Sequence, residues 1–357
     1  MKTKALAICL MTLCLFSCGS GGDGDDNDST PTTVNISVSI GKLGANISDA
    51  DSKWWGGVKG PDGKIYGVPF SADDILIIDP VTNTATNSTM GADLSGSGKW
   101  ANGSLGTDGK IYCVPYNAAD VLIIDTFAGT ATRTNFGLDL SDTSKWAGAV
   151  LGTDNKIYCI PRDSTDILII DPSTGTAMRS SMGADLAGSN KWSGGILAKN
   201  GKIFGVPRDS QDILIIQPLN GSASRDTMGA PLSSDHRYAD GILAPDGNIY
   251  AIPYNNSSAI LIIDPVASIA TLTTMGADLS ESGWSEAILG PDNKIYAVPY
   301  TASDILIIDP ESGTASRTPV DGVEETVAGK WVMGDIVNNK IYGIPYGSEN
   351  IILVQLR

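Results

Sequence analysis

The side chains best suited to binding an anion are three arginines and the single histidine of the chain. The segment PRDS occurs at 161–164 and again at 207–210, and the histidine lies in DHR at 235–237. The candidates are Arg162, Arg208, His236 and Arg237. Arginine offers a planar fork of N–H donors that matches a carboxylate. In a chain with 40 acidic and 24 basic residues, such a cluster predicts an anion or uronic-acid pocket. The alternative is that these arginines pair only with nearby surface carboxylates.

A second set of side chains offers oxygen atoms to a cation. Three of them stand two residues after a regularly spaced aromatic residue, and a fourth follows the last aromatic residue closely. The set is Asn102, Asp240, Glu286 and Asp335. Carboxylate and amide oxygens suit Ca²⁺, so a channel Ca²⁺ site is one expectation, and wet polar groups lining a channel are the other. We expect no other cofactor, because the chain has no CxxC motif and no Cys/His cluster for zinc.

Aromatic residues recur in two series. The first series, mostly preceded by a lysine, is Trp54, Trp100, Trp146, Trp192, Tyr238, Trp284 and Trp331. The second, after the proline of each KIYxxP segment or its variants, is Phe70, Tyr116, Tyr254, Tyr300 and Tyr346. Exposed aromatic rings stack on sugars and anchor protein contacts, so both series are candidate ligand contacts. The alternative is that a residue present in every copy packs one repeat against the next.

A repeat must position all of these residues. The aromatic residues of the first series are separated by 46 residues, and by 47 at the last step. Each copy contains a Lys-Trp segment, a KIY segment, a DILIID segment and a Thr-rich run, separated by turn signals such as Pro61-Asp62-Gly63. No stretch has sustained helical periodicity. Four short antiparallel strands, A to D, per 46 residues predict one blade of an all-β, seven-bladed propeller.

The ends of the chain predict how the ring closes. The last copy stops after strand C, and residues 34–39 (VNISVS) have the composition of the missing strand D. We therefore expect the N-terminal strand to complete the last blade and cover its open edge, which makes residues 34–357 one domain. The aspartates at both ends of strand C are assigned to turn capping. Cys113 and Cys159 occupy a small-residue position and are expected to be buried free thiols.

The N-terminal residues predict export. Residues 1–17 have a basic start and an apolar stretch too short to span a bilayer, as in a signal peptide. The segment LFSC at 15–18 resembles a bacterial lipobox, which implies lipidation of Cys18 and a flexible tether over 18–33. A signal peptide cut elsewhere, with Cys18 incidental, is the alternative. We expect an envelope lipoprotein, monomeric and anchored at the outer membrane.

The charge of the chain excludes one class of partner. Without Lys2 and Lys4, 22 basic residues face 40 acidic ones. A protein so acidic is not expected to bind nucleic acid.

The segment IYGVPFSADDILIIDPVTNTATNST resembles the YVTN-type repeat of seven-bladed propellers, a group close to the NHL and lactonase-like propellers. The resemblance implies that the D–A and B–C connections share the ligand-binding face, and that a lactonase-like channel holds a divalent ion. Two functions follow. The first is a non-enzymatic binding scaffold for a glycan, peptide or protein, since no GxSxG or HExxH motif is present. The second is an envelope lactonase or polysaccharide lyase that uses His236, Arg237 or Arg208, with Asp240 and Glu286 as metal ligands.

Overall fold

The structure is a computed structural model. It describes residues 36–357 except 234–236, 255–256, 281–282, 324–326 and 328, and of Met333 the backbone only. The predicted signal peptide, Cys18 and the tether lie outside these residues. None of the described residues belongs to a helix that is long and apolar enough to cross a membrane.

The described residues form a seven-bladed β-propeller, which confirms the predicted fold class. Each blade is a four-stranded antiparallel sheet in chain order. Blade 1 comprises β2 (Trp54–Lys59), β3 (Ile65–Pro69), β4 (Ile75–Asp79) and β5 (Thr84–Ser88). Blade 2 comprises β6 (Trp100–Leu105), β7 (Ile111–Pro115), β8 (Val121–Asp125) and β9 (Thr130–Thr134). Blade 3 comprises β10 (Trp146–Leu151), β11 (Ile157–Pro161), β12 (Ile167–Asp171) and β13 (Thr176–Ser180).

The remaining blades repeat this order. Blade 4 comprises β14 (Trp192–Leu197), β15 (Ile203–Pro207), β16 (Ile213–Gln217), a 3₁₀ turn (Pro218–Asn220) and β17 (Ser222–Asp226). Blade 5 comprises β18 (Tyr238–Leu243), β19 (Ile249–Pro253), β20 (Ile260–Asp264) and β21 (Ile269–Thr273). Blade 6 comprises β22 (Trp284–Leu289), β23 (Ile295–Pro299), β24 (Asp304–Asp309) and β25 (Thr314–Pro319). Blade 7 comprises β26 (Trp331–Val337), β27 (Lys340–Pro345), β28 (Ile351–Leu356) and β1 (Ile36–Gly41).

The N-terminal strand closes the ring as predicted. Strand β1 pairs antiparallel with β28, in a register from Ile36 opposite Leu356 to Gly41 opposite Ile351. The first two residues of the predicted run, 34 and 35, lie outside the described residues, and the strand is described from Ile36 onward. The inner strands also form a closed circle, because each contacts the next and β26 contacts β2.

The core lies between the blades. One apolar cluster combines Val68 and Ile75 of blade 1 with Trp100, Ile111 and Cys113 of blade 2, and equivalent clusters join the other blades. Cys113 and the equivalent Cys159 are buried free thiols, as predicted. Propellers bury their apolar surface between neighbouring repeats in this way.

Small residues let the seven inner strands converge on the axis. A Cβ on Gly195 would lie 2.6 Å from Ile160 Cδ1, and one on Gly334 would lie 2.4 Å from the Tyr342 carbonyl oxygen. Contacts this short are not tolerated without movement. The predicted requirement for small residues three positions after each aromatic residue is therefore explained by packing.

Candidate functional site

The site lies at the mouth of the central channel, on the face where strands A begin and strands B end. Trp54 at the start of β2 pairs with Pro69 at the end of β3, and the same register recurs in every blade. The residue after each strand-B proline therefore surrounds the channel axis. We call these seven half-buried residues the mouth ring: Phe70, Tyr116, Arg162, Arg208, Tyr254, Tyr300 and Tyr346.

The aromatic members of the mouth ring contact one another. Ring centroids are 5.4 Å apart for Phe70 and Tyr116, and 5.7 Å apart for Tyr300 and Tyr346. Trp55 lies within this group, with centroid distances of 4.9 Å to Phe70 and 5.9 Å to Tyr346. These are favourable distances for tilted aromatic pairs. The mouth is thus a partly exposed aromatic surface.

Sequence reasoning missed Trp55. The signal was present, because blade 1 is the only copy in which a second tryptophan follows the first. The residue after the first aromatic residue lines the channel-mouth cavity in blades 1, 5, 6 and 7, and in every blade except blade 1 it is small or aliphatic.

Two arginines complete the mouth ring. The guanidinium carbon lies 5.2 Å from the Tyr116 ring centre for Arg162, and 4.7 Å from the Tyr254 ring centre for Arg208, as in cation–π contacts. Nε and Nη1 of Arg162 are buried and have no hydrogen-bond partner. Burial, together with the positive charge of Arg208, lowers the pKa of Arg162. Within the described part of the chain, neither guanidinium forms an ion pair.

The acidic neighbours of these arginines are engaged elsewhere. Asp163 accepts the backbone N–H of Asn190 at 2.5 Å, and Asp209 pairs with Arg237 Nε at 2.9 Å. The described residues therefore show no ion pair between a nearby carboxylate and either Arg162 or Arg208, and anion binding by these arginines stays a prediction. Arg237 contacts Asp209 and does not line the channel-mouth cavity. His236 lies outside the described residues.

The first aromatic series is not a ligand surface. The prediction that these rings contact a ligand is therefore wrong, and the alternative, packing between repeats, is what the structure shows. Trp54, Trp100, Trp146, Trp192, Tyr238, Trp284 and Trp331 are all buried. Each tryptophan donates its indole N–H to a backbone carbonyl at the start of strand C of its own blade, at 2.6–2.9 Å. These rings have no surface to offer a ligand, because they pack blade against blade.

A polar group lies inside the channel, below the mouth ring. Asn102 Nδ2 donates to Glu286 Oε1 at 3.2 Å across the channel, and the backbone N–H of Gly241 donates to Asp240 Oδ1 at 2.8 Å. Glycine on the facing strand makes room, since a Cβ on Gly194 would lie 1.9 Å from Asp240 Oδ1. Desolvation raises the pKa of Asp240 to about 7. Desolvation, then the charge of Asp240, raises the pKa of Glu286 well above its usual value.

The four proposed metal ligands do not form one ligand set, which corrects the expectation of a shared Ca²⁺ site. Asp335 instead pairs with Lys59, at 3.8 Å. Asn102 turns its amide NH₂ towards Glu286, while its oxygen accepts the backbone N–H of Gly103 at 2.8 Å. In the described ranges, no group of three or more His, Cys, Asp or Glu side chains is placed to hold a metal ion. Two carboxyl groups and an amide N–H do not fit the oxygen-rich shell of Ca²⁺.

A cavity that is open to solvent at the mouth connects the two levels of the site, with about 340 Å³ of empty space including the open part. Its lining includes Trp55, Arg208 and three tyrosines of the mouth ring, together with Ser285 and Glu286 below them. The Ser285 hydroxyl is buried and has no hydrogen-bond partner. The cavity thus has aromatic walls, a cationic rim and a polar floor.

Known structures share the fold. Virginiamycin B lyase from Staphylococcus aureus, solved with quinupristin, is 12% identical; the match covers 90% of this chain and 100% of that chain with a TM-score of 0.71. A streptogramin B lyase is 14% identical, with coverages of 90% and 98% and a TM-score of 0.71. Hydrazine synthase from Kuenenia stuttgartiensis is 12% identical, with coverages of 87% and 97% and a TM-score of 0.64.

These similarities establish the fold alone, because propellers with so little sequence identity host unrelated activities. No family model matches the chain, and no curated protein matches its sequence. The resemblance to YVTN-type repeats is thus supported as far as the seven-bladed fold.

Proposed function

We propose that this propeller is a binding protein that takes a small anionic ligand carrying a ring at its channel mouth. Arg162 carries the proposal. Two nitrogen atoms of its guanidinium, Nε and Nη1, are buried and have no hydrogen-bond partner, which is costly unless an anion accepts hydrogen bonds from them. Arg208 provides a second fork in the same ring, and the exposed faces of Trp55 and the tyrosines suit a planar or sugar ring. The cavity at the mouth is lined by Arg208, Trp55 and three of the tyrosines, and Arg162 lies next to it in the same mouth ring.

Calorimetric titration tests this function. Glucuronate and 3-phenylpropionate are compared with their uncharged counterparts, glucose and 3-phenylpropanamide, on the domain spanning 34–357. The acids should bind and the neutral compounds should bind at least tenfold more weakly, since a charge-assisted pair contributes roughly 1.5–3 kcal/mol.

Matched variants assign the binding to the mouth. Arg162→Ala with Arg208→Ala should abolish acid binding. Arg133→Ala with Arg225→Ala should not, because those arginines pair with Asp120 and Asp212 on the outer strands. Acid binding that survives loss of both mouth arginines would overturn the proposal.

The cellular setting is a separate part of the proposal. The lipobox-like segment ending at Cys18 supports an envelope lipoprotein tethered by its N-terminus. Expressed in a bacterium, the full chain should fractionate with membranes, and Cys18→Ala should release it. A Cys18→Ala chain that stays in the membrane fraction would contradict the anchor.

Catalysis is the second candidate function, and the channel carboxyl pair favours it. Carboxyl groups whose pKa is raised by burial can keep a proton to donate at a higher pH than ordinary carboxyl groups, and Glu286, whose pKa is raised in this way, borders the cavity. An envelope lyase or lactonase would then turn over a ligand bound by the mouth ring. Product formation that is lost in Glu286→Gln would support it; ligand binding without product would favour the scaffold.

A further inference from the structure

The channel-mouth cavity is lined by an arginine and a carboxyl group that do not pair with each other. Arg208 lies at its rim and Glu286 at its floor, and within the described residues no ion pair joins them. Buried charged groups are normally paired. An arginine and a carboxyl group that face one cavity without pairing are complementary to a ligand that carries both charges.

No cationic side chain pairs with the carboxyl groups at the cavity floor within the described residues. Glu286 and Asp240 accept hydrogen bonds only from neutral donors in the described structure, namely the Asn102 amide and the Gly241 backbone. A simple anion bound at the rim would leave this carboxyl pair without a cationic partner, and it would be repelled wherever the pair is ionised. An ammonium group would supply the missing charge together with three N–H donors.

The cavity floor also contains a buried hydroxyl group, that of Ser285, without a hydrogen-bond partner. Ser285 is 3% exposed, and its Oγ has no partner. The equivalent Ser193 in blade 4 is satisfied, because it donates to the Tyr238 carbonyl at 2.7 Å. The Ser285 hydroxyl is buried without a hydrogen-bond partner, whereas the equivalent hydroxyl in blade 4 has one. A buried polar group without a partner needs an explanation, and a hydrogen bond to a bound ligand would provide it.

We propose that the ligand is a zwitterion, a small amino carboxylate whose carboxylate is bound by Arg208 and whose ammonium is bound by Glu286 and Ser285. This rests on the proposed binding function and narrows its ligand class. Trp55, Tyr254, Tyr300 and Tyr346 line the cavity between the two charged ends, so the body of the ligand is expected to be apolar or aromatic.

Three related probes test the charge requirement. Phenylalanine carries both groups, 3-phenylpropionate lacks only the amine, and phenethylamine lacks only the carboxylate. Phenylalanine should bind at least tenfold more tightly than either. Equal affinity for phenylalanine and 3-phenylpropionate would overturn the zwitterion inference but leave anion binding intact. Failure of phenylalanine, 3-phenylpropionate and glucuronate alike would overturn anion binding itself.

Variants locate the ammonium. Asp240→Asn with Glu286→Gln keeps the shape of the floor and removes its charge, so phenylalanine should then bind no better than 3-phenylpropionate. The affinity for 3-phenylpropionate should stay the same or rise. Asp335→Asn, a strand-A carboxylate paired with Lys59, should leave both affinities unchanged. A loss of equal size for both probes in the floor variant would contradict the inference.

Discussion

At the scale of single residues, the site consists of positions where the seven copies differ. Arg162 and Arg208 replace aromatic residues, Asp240 and Glu286 replace glycine, and Trp55 is unique to blade 1. A residue that is identical in all blades presents the same group from seven directions, and its side chain packs between blades. Only the residues that differ between blades make the channel mouth asymmetric, and an asymmetric mouth is needed to hold an asymmetric ligand in one orientation.

Two adjacent tryptophans separate the structural role from the binding role. Trp54→Phe removes an indole N–H that satisfies the Asp74 carbonyl at 2.8 Å and leaves a small cavity, so it should destabilise the domain by about 2–4 kcal/mol. Trp55→Phe keeps an aromatic ring at the mouth and should cost less than about 1 kcal/mol. Denaturant titration measures both, and equal losses would contradict the assignment.

The channel carboxyl pair should make stability pH-dependent. The pKa of both groups is raised in the folded protein, so the folded state keeps protons that the unfolded chain releases above its ordinary carboxyl pKa of about 4. The contribution of the pair to stability is therefore fully present below about pH 4 and is lost as the pH rises through the raised folded-state pKa values, about 7 for Asp240.

Melting temperatures between pH 5 and pH 8 test this dependence. Asp240→Asn with Glu286→Gln should lose part of the decline seen in the unmodified protein, because the amides do not titrate. Asp73→Asn, at an exposed aspartate, should keep the full decline. Identical slopes in all three proteins would show that the pair does not retain protons in the folded state.

At the scale of elements, the segments that recur in each repeat stabilise the blades through specific hydrogen bonds. Each lysine before the first aromatic residue donates Nζ to backbone carbonyls of the preceding blade. Lys145 contacts the Tyr116 and Ala118 carbonyls, both at 3.0 Å, and Lys191 contacts the Arg162 carbonyl at 2.8 Å. Tyrosines of the KIY segments bind the aspartate of the preceding turn, as Tyr66 does with Asp62 at 2.8 Å. The lysines join neighbouring blades, and the tyrosines fix the turn between strands A and B.

Removing one lysine should loosen the contact between two blades. Lys145 is completely buried, and Lys145→Met leaves the carbonyl of Ala118 without this donor, whereas the Tyr116 carbonyl still accepts the backbone N–H of residue 145 at 3.1 Å. The loss should be about 1–3 kcal/mol, the cost of one unsatisfied buried group. Lys64→Met, at a partly exposed lysine of an A–B turn, is the control and should cost less than about 0.5 kcal/mol. Similar losses in both variants would contradict the blade-joining role.

The aspartates at the start of strand C do more than cap turns. Asp120, Asp212 and Asp304 pair with arginines on strand D at 2.7–2.9 Å. Those arginines also stack over the buried tryptophan of the blade, as Arg225 does over Trp192 at 5.3 Å. The assignment to turn capping alone was therefore wrong for this position. The aspartates at the end of strand C do cap turns, since Asp79 accepts the N–H of Val81 at 2.9 Å.

At the scale of the whole molecule, the ring depends on a strand from the opposite end of the chain. Strand β1 occupies the outer edge of blade 7 and pairs along the full length of β28. Lys42, just after β1, also pairs with Glu349 at 3.0 Å. The two ends of the chain are thereby held in one sheet, which resists opening of the propeller.

Truncation tests the closure. A chain that starts at residue 42 lacks β1 and exposes the edge of β28, so it should melt at lower temperature and aggregate. A chain that starts at residue 34 retains β1 and is the control. Equal melting temperatures and equal solubility would show that the closure contributes little to stability.

The sequence alone determined the architecture of this protein. Its 46-residue period, its turn signals and its missing last strand predicted seven blades and their closure, because those features arise from local strand pairing and from contacts between adjacent repeats. The same reasoning identified Arg162, Arg208, Asp240 and Glu286 as departures from the repeat. It could not decide between packing and binding for the two aromatic series.

Only the tertiary structure decided which of these residues meet. The buried indoles, the unpartnered Arg162 guanidinium and the separation of Asp335 from the channel pair all depend on the geometry around the axis. Asn102 and Glu286 are 184 residues apart in the chain and yet are hydrogen-bonded across the channel. Local periodicity specifies a blade, but the site is formed where several blades converge, and that convergence is a property of the closed ring.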